Sequence, residues 1–204
     1  EEKLATRRVI HNSNIDNRGD AGWQSIKTYE TDETGVEGTL ELTSYQEFTN
    51  RKYDSSHNIM NQNILTYSDD GKGTLLDAQE IRSSAYYSSG VAKEQRVATY
   101  SDSGLTNLID IKVIENKVVD ARGNVKESVV TKYSSGTILD GGIGEIIPGD
   151  AVDRQTITTG ALDIRGNALE QTIVREYWTG SVFEGMEKQE IVNTGYDLHD
   201  RVGK

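Results

Sequence analysis

Polar and apolar positions alternate with a period of two along most of this chain. The same phrase returns in Gln24-Ser25-Ile26-Lys27-Thr28-Tyr29, Gln62-Asn63-Ile64-Leu65-Thr66-Tyr67 and Gln95-Arg96-Val97-Ala98-Thr99-Tyr100. Alternation sends the Gln, the β-branched residue and their neighbours two apart to one face of a strand. A second phrase, Gln-x-apolar or Lys-x-apolar, ends in Phe48, Ile81, Ile114, Ile157 and Ile191, and these with Ile10 each stand six residues before the Asp position of a corner. Two strands per unit, joined by short turns, predict about ten antiparallel strands. No segment carries a helical period, although Glu1 to Arg7 is short enough to form a turn of helix or to fray.

The corners repeat. Ile15-Asp16-Asn17-Arg18-Gly19-Asp20, Tyr53-Asp54-Ser55-Ser56-His57-Asn58, Tyr86-Tyr87-Ser88-Ser89-Gly90-Val91, Val119-Asp120-Ala121-Arg122-Gly123-Asn124 and Leu162-Asp163-Ile164-Arg165-Gly166-Asn167 align, and a sixth copy starts at Tyr196-Asp197. The period is 33 to 43 residues, which is the signature of stacked supersecondary units. Gly, with His once and Asp once, fills the last corner, where the backbone must take positive φ. Asp at the first corner can accept N–H bonds from residues further along, so Asp-x-x-Gly reads as a type I turn followed by a G1 bulge. A second turn follows each strand pair: Asp32 to Gly35, Ser68 to Gly71, Ser101 to Gly104, Ser134-Ser135-Gly136 and Trp178-Thr179-Gly180. The stretch Gly141 to Asp150, with the only proline at Pro148, reads as a surface-loop insertion.

The expected fold class is therefore all-β: an antiparallel β-meander repeat forming a spiral, solenoid-like open sheet. Residues 1–204 form a single array with units beginning near 8, 46, 79, 112 and 155 and a truncated sixth from 189. A sandwich or barrel is the alternative, but Thr, Ser and Gln at many inward positions serve it poorly. Beginning at Glu1 and stopping within the sixth copy, the chain reads as an excised piece of a longer array.

Composition fits a thin structure. Only 34% of the residues are hydrophobic, and layers that touch only their neighbours need less apolar material than a globule. A net charge of −11 disfavours nucleic acid and anionic membranes as partners. No apolar run approaches a membrane span. The absence of Cys excludes disulfides and thiolate metal sites.

The Tyr53-Asp54, Val119-Asp120-Ala121-Arg122-Gly123-Asn124-Val125, Leu162-Asp163-Ile164-Arg165-Gly166-Asn167-Ala168-Leu169 and Tyr196-Asp197 segments resemble the YD-repeat (Rhs-type) family of bacterial β-hairpin repeat proteins. The resemblance spans every unit, while the family's repeat is shorter and its Tyr-Asp more regular. It implies successive hairpins in a large bacterial surface or secreted protein, with no catalytic residues in the repeats.

Candidate chemistry is sparse. Asp69, Asp70, Asp102, Asp16 and Asp20 could offer oxygen ligands to calcium, but no complete ligand loop recurs, and Asp in such positions ordinarily just folds a turn. Arg18-Gly19-Asp20 spells an adhesion tripeptide, yet it reads as drift within the turn consensus. His11, His57 and His199 fall in different columns, and no nucleophile, phosphate-loop or dinucleotide motif occurs. Tyr29, Tyr67, Tyr100, Tyr133 and Tyr177, with Trp178, form an aromatic column. Solvent-facing, it would be a ladder for glycans; buried, it would be packing between strands.

The expectation is a non-catalytic structural spacer segment of a larger extracellular or cell-surface protein, with no cofactor and no metal. Its partners would be the neighbouring repeats, with end-to-end self-association through open edges. The alternative is a carbohydrate- or surface-polymer-binding adhesion module, and a third reading is a calcium-stiffened adhesin.

Overall fold

Corners with one residue in the left-handed region organise the chain. Gly19, His57, Gly90, Gly123 and Gly166 have φ of 89°, 65°, 82°, 89° and 94°. In the first corner the Gly19 N–H donates to the Asp16 carbonyl at 3.1 Å and the Asp16 N–H to that of Asp20 at 3.0 Å. The other four repeat both bonds, so each is a type I turn closed by a G1 bulge.

The computed structural model describes residues 6–31, 37–139 and 144–196. The strands are β1 (Thr6–Ile15), β2 (Ala21–Glu30), β3 (Glu41–Tyr53), β4 (Ile59–Tyr67), β5 (Leu75–Tyr86), β6 (Ala92–Tyr100), β7 (Leu108–Val119), β8 (Val125–Tyr133), β9 (Gly136–Ile138), β10 (Ile146–Pro148), β11 (Ala151–Thr159), β12 (Glu170–Trp178) and β13 (Phe183–Val192). Among the described residues one 3-10 turn spans Glu37–Thr39 and no α-helix forms. Eleven strands make one sheet in the order β1 to β8, β11, β12, β13; it is an antiparallel meander and is not closed. β9 and β10 pair separately.

Register follows the repeated phrases. Ile10 lies opposite Ile26, Phe48 opposite Ile64, Ile114 opposite Val130 and Ile157 opposite Ile173. The apolar residues of the two phrases therefore meet across the ladder, where each such pair contributes a few tenths to about 1 kcal/mol.

By contacts the chain divides into two units. The first comprises residues up to Arg82 with Val97–Ile109 and Ile138–Glu145, and the second Ser83–Arg96, Asp110–Thr137 and residues from Ile146 onward. Tyr45, Tyr67, Ala78, Ala98 and Tyr100 are buried in the first unit; Ala92, Ile111 and Ile146 are buried in the second. Among the described residues nine polar ones are buried beside these eight, so polar pairing and not apolar volume has to supply much of the cohesion.

Two expectations are corrected. Ser134-Ser135-Gly136 does not turn: no residue there has positive φ, and the chain continues into β9. The Ser134 N–H donates to the Asp150 carbonyl at 2.9 Å, and the Gly149 N–H to that of Ser135 at 2.9 Å. A Cβ on Gly136 would collide with Ile111 and come within 2.5 Å of the Ile147 carbonyl oxygen, so the Gly serves close packing instead of a bend. Nor are residues 144–150 of the expected insertion only a surface loop, while 141–143 lie outside the described residues. Ile146 is fully buried, and its carbonyl accepts from the Arg96 guanidinium at 2.9 Å. Pro148 is tolerated because β10 lies at the edge of a two-stranded pair.

Residues 32–36, which hold the first of the second turns, and 197–204, which hold the sixth corner beyond Tyr196 and His199, lie outside the described residues, as does the segment Glu1 to Ala5. Thr6 and Arg7 belong to β1.

Candidate functional site

The corner carboxylates are committed to the backbone. Asp16 Oδ1 accepts from the N–H groups of Arg18 (2.8 Å) and Asp20 (2.9 Å). Asp54, Asp120 and Asp163 do the same two and four residues on, and their second oxygens accept from the Asn58, Asn124 and Asn167 amides. Hydrogen bonds to the ionised form hold all four below the usual carboxylate range. The leading donor is the Asp20 N–H for Asp16, the Asn58 side chain for Asp54, the Asn124 side chain for Asp120 and the Asn167 N–H for Asp163.

The second turns use Asp69 and Asp102 in the same manner, with the Ser68 hydroxyl and the Asn107 N–H as the leading donors. Here positive φ falls one residue beyond the Gly, on Lys72 (59°) and Leu105 (57°). The Asp70 carboxylate pairs with Lys27 at 2.7 Å. Among the described residues no group of three or more His, Asp or Glu side chains is arranged to hold a metal ion.

Arg18-Gly19-Asp20 is folded inward at its acidic end. The Asp20 side chain is 7% exposed; its Oδ1 lies 2.7 Å from His57 Nδ1 and its Oδ2 3.1 Å from Arg18. Arg18 also donates to the Asp54 carbonyl at 2.6 Å. A carboxylate engaged in this way cannot be presented to a receptor. The groove beside it, about 240 Å³, is lined by Asn14, Asp16, Gly22, Arg51 and Tyr53 among others. A larger groove of about 460 Å³ runs over β1, β2 and β3 between Arg8, Ile26, Thr28, Glu30, Thr43, Ser44 and Gln46. It contains no aromatic side chain.

The aromatic column is divided between environments. Tyr67 and Tyr100 are buried, Tyr29, Tyr133 and Trp178 are partly buried, and Tyr177 is exposed. Tyr67 stacks on Tyr45, directly opposite it on β3, with centroids 6.4 Å apart. Burial, then the neighbouring Glu47, push the Tyr45 hydroxyl upward. Glu47 also accepts from Lys72 at 2.9 Å. Trp178 packs on Phe183 at 4.9 Å, and the Arg154 guanidinium, paired with Glu176, lies 4.3 Å over the Phe183 ring. Tyr177 Oη donates to Glu184 at 2.9 Å.

No protein-family model, curated protein or solved structure matches this chain.

Two polar systems escaped the sequence reading. In the first, Asn50 Nδ2 and Tyr53 Oη both donate to the Ala21 carbonyl, at 2.9 and 2.8 Å. Asn193 and Tyr196 both donate to the Ala168 carbonyl, at 2.8 and 2.5 Å, and Asn116 donates to that of Ala92 at 2.8 Å. Each bond ties one hairpin to the strand that follows the preceding corner. The Gln phrase feeds this column: Gln24 donates to Asn12, Gln62 to Asn50 and Gln95 to Ser83. The signal was in the sequence, since Asn12, Asn50, Ser83, Asn116 and Asn193 each stand four residues before a corner.

The second system had no sequence signal, because it assembles from three strands of the first unit. Glu80, 4% exposed at its side chain, accepts a bidentate pair from Arg51 (2.7 and 2.9 Å) and a further bond from Arg82 (2.7 Å). Arg51 also donates to Asn61 Oδ1 at 3.3 Å, and Arg82 Nε to the Gly144 carbonyl at 2.7 Å. Burial comes first, and Glu80 second, in raising the hydroxyl of nearby Tyr100 above the ordinary tyrosine range.

Proposed function

We propose that this chain is a non-catalytic spacer: YD-repeat-like hairpins that coil into a spiral sheet within a larger extracellular or cell-surface bacterial protein. The observation that carries this reading is the recurring clasp of Asn50 and Tyr53 on Ala21, of Asn116 on Ala92, and of Asn193 and Tyr196 on Ala168. Recurrent bonds from one hairpin to the one before it supply nearest-neighbour cohesion, which is what lets a repeat extend without a large core. The corner carboxylates engage their own turns, leaving little free chemistry along that edge. The burial of Tyr67 and Tyr100 also favours packing over display.

The exposed Tyr177, beside Trp178, is what favours the second reading, a carbohydrate- or surface-polymer-binding module. A polysaccharide panel with calorimetry on the wild type and on Tyr177→Ala separates the two. The spacer predicts no saturable binding. Binding that Tyr177→Ala abolishes would replace the spacer with the adhesion module.

A further inference from the structure

Among the described residues β1 and β13 end the eleven-stranded order, each paired on one side only. The unpaired N–H and C=O groups of such a strand are a template for another chain. Neither edge contains a proline, and both leave apolar side chains in solvent: Val9 and Ile10 on β1, Met186 and Val192 on β13.

The two edges differ in charge. β1 carries Arg7 and Arg8 and no carboxylate, whereas β13 carries Glu184, Glu187 and Glu190 against Lys188 alone. Neither β1 guanidinium is paired with a carboxylate among the described residues. The β13 carboxylates accept from Tyr177, Arg175 and Lys188. An ionised carboxylate offers about four acceptor sites, so each can take a further bond, and all three are exposed.

Cross-strand Arg–Glu pairs already join the last strands of the sheet. Arg154 of β11 stands opposite Glu176 and holds it through two bonds, at 2.7 and 2.9 Å, and Arg175 of β12 stands opposite Glu187 at 2.9 Å. Arg154 precedes its corner's Asp163 by nine residues, as Arg7 precedes Asp16. Arg7 thus repeats a position that elsewhere holds a glutamate across the ladder, but the residue opposite it on β2 is Tyr29.

We propose that the partner of the β1 edge is a second copy of this chain, whose β13 lies beside it and sets its glutamates against Arg7 and Arg8. Like edges do not pair: β1 against β1 would gather four guanidiniums, and β13 against β13 six carboxylates with two ammoniums. Copies therefore join head to tail, through two different surfaces. The net charge of −11 opposes their approach, but at about 0.15 M ionic strength screening confines that repulsion to about 8 Å, while the pairs in contact keep their attraction. The joint gives a direction to the end-to-end association expected from the sequence. It needs only the two edge strands and does not depend on the spacer reading.

The test is sedimentation velocity of the full chain at rising concentration and physiological ionic strength. The sedimentation coefficient of the wild type is expected to rise with concentration. Arg7→Glu with Arg8→Glu, or Glu187→Lys with Glu190→Lys, is expected to abolish the rise, and mixing the two variants to restore it, because each then meets an edge of opposite charge. A wild type that stays monomeric, a rise that survives either reversal, or a silent mixture of the two each overturn the proposal. Hydrogen exchange on the wild type needs no variant: the β1 and β13 amides are expected to gain protection at high concentration while those of β4 keep theirs, and unchanged protection in β1 overturns the joint as well. A chain that binds a polysaccharide and still associates in this way would replace the spacer reading and leave the joint standing.

Discussion

Tyr53 Oη donates to the Ala21 carbonyl at 2.8 Å, across 32 residues of sequence, and that carbonyl also accepts from Asn50. Removing one donor leaves the acceptor still bonded. Tyr53→Phe is therefore expected to lower stability by about 0.5–1 kcal/mol and Asn50→Ala by about 1 kcal/mol, while the double variant loses more than the sum. Denaturant unfolding of the three variants measures this, and strict additivity would mean the two bonds do not share one acceptor's satisfaction.

The corner carboxylates give a pH dependence of definite sign. Asp16, Asp54, Asp69, Asp102, Asp120 and Asp163 all lie below their ordinary value of 3.8. A carboxylate depressed in the folded state contributes stability that is fully present above its unfolded value and is lost as pH falls through the folded one. The unfolding midpoint should thus be insensitive to these groups at neutral pH and drop below about pH 4. Asp120→Asn should be less stable at pH 7 and show a shallower acid fall. A wild-type midpoint unchanged down to about pH 2 would contradict the assignment.

The corners were legible because their chemistry is local. Positive φ at Gly19, His57, Gly90, Gly123 and Gly166 follows from residue type and spacing, whereas facing pairs such as Ile157 and Ile173 are set by the hairpin's turn geometry, which the sequence reading did not carry through to a register. Ser134-Ser135-Gly136 misled because a Gly needed for close approach to Ile111 looks the same in sequence as one needed for a bend. The Glu80 cluster was illegible for another reason: Arg51, Glu80 and Arg82 meet only once three strands are laid in register.

Two glycines separate backbone strain from steric exclusion. Gly19 has φ of 89° and open space where a Cβ would stand, whereas Gly136 has ordinary φ and no room for one. Gly19→Ala is expected to cost about 1 kcal/mol. Gly136→Ala is expected to cost about 2–3 kcal/mol, because Ile111 and the Ile147 carbonyl must move. Equal losses, read from denaturant midpoints, would mean that β9 and β10 do not pack against Gly136 and Ile111 in this way.

Leu105 sits at φ 57° in the turn following β6, where its half-buried side chain offsets only part of the cost of a left-handed backbone. Leu105→Gly should stabilise the protein by about 0.5–1 kcal/mol, net of the added freedom of the unfolded chain. Lys72, at the equivalent position with φ 59°, holds Glu47 and lies 5.9 Å over the Tyr67 ring, so Lys72→Gly should not stabilise. A loss on Leu105→Gly in thermal unfolding would refute the turn's geometry.

Native-state hydrogen exchange on the chain carrying both Asn50→Ala and Tyr53→Phe tests nearest-neighbour cohesion most directly. The expected result is lowered amide protection in β1 to β4 with wild-type protection retained in β11 to β13. A uniform fall in protection across every strand would contradict it.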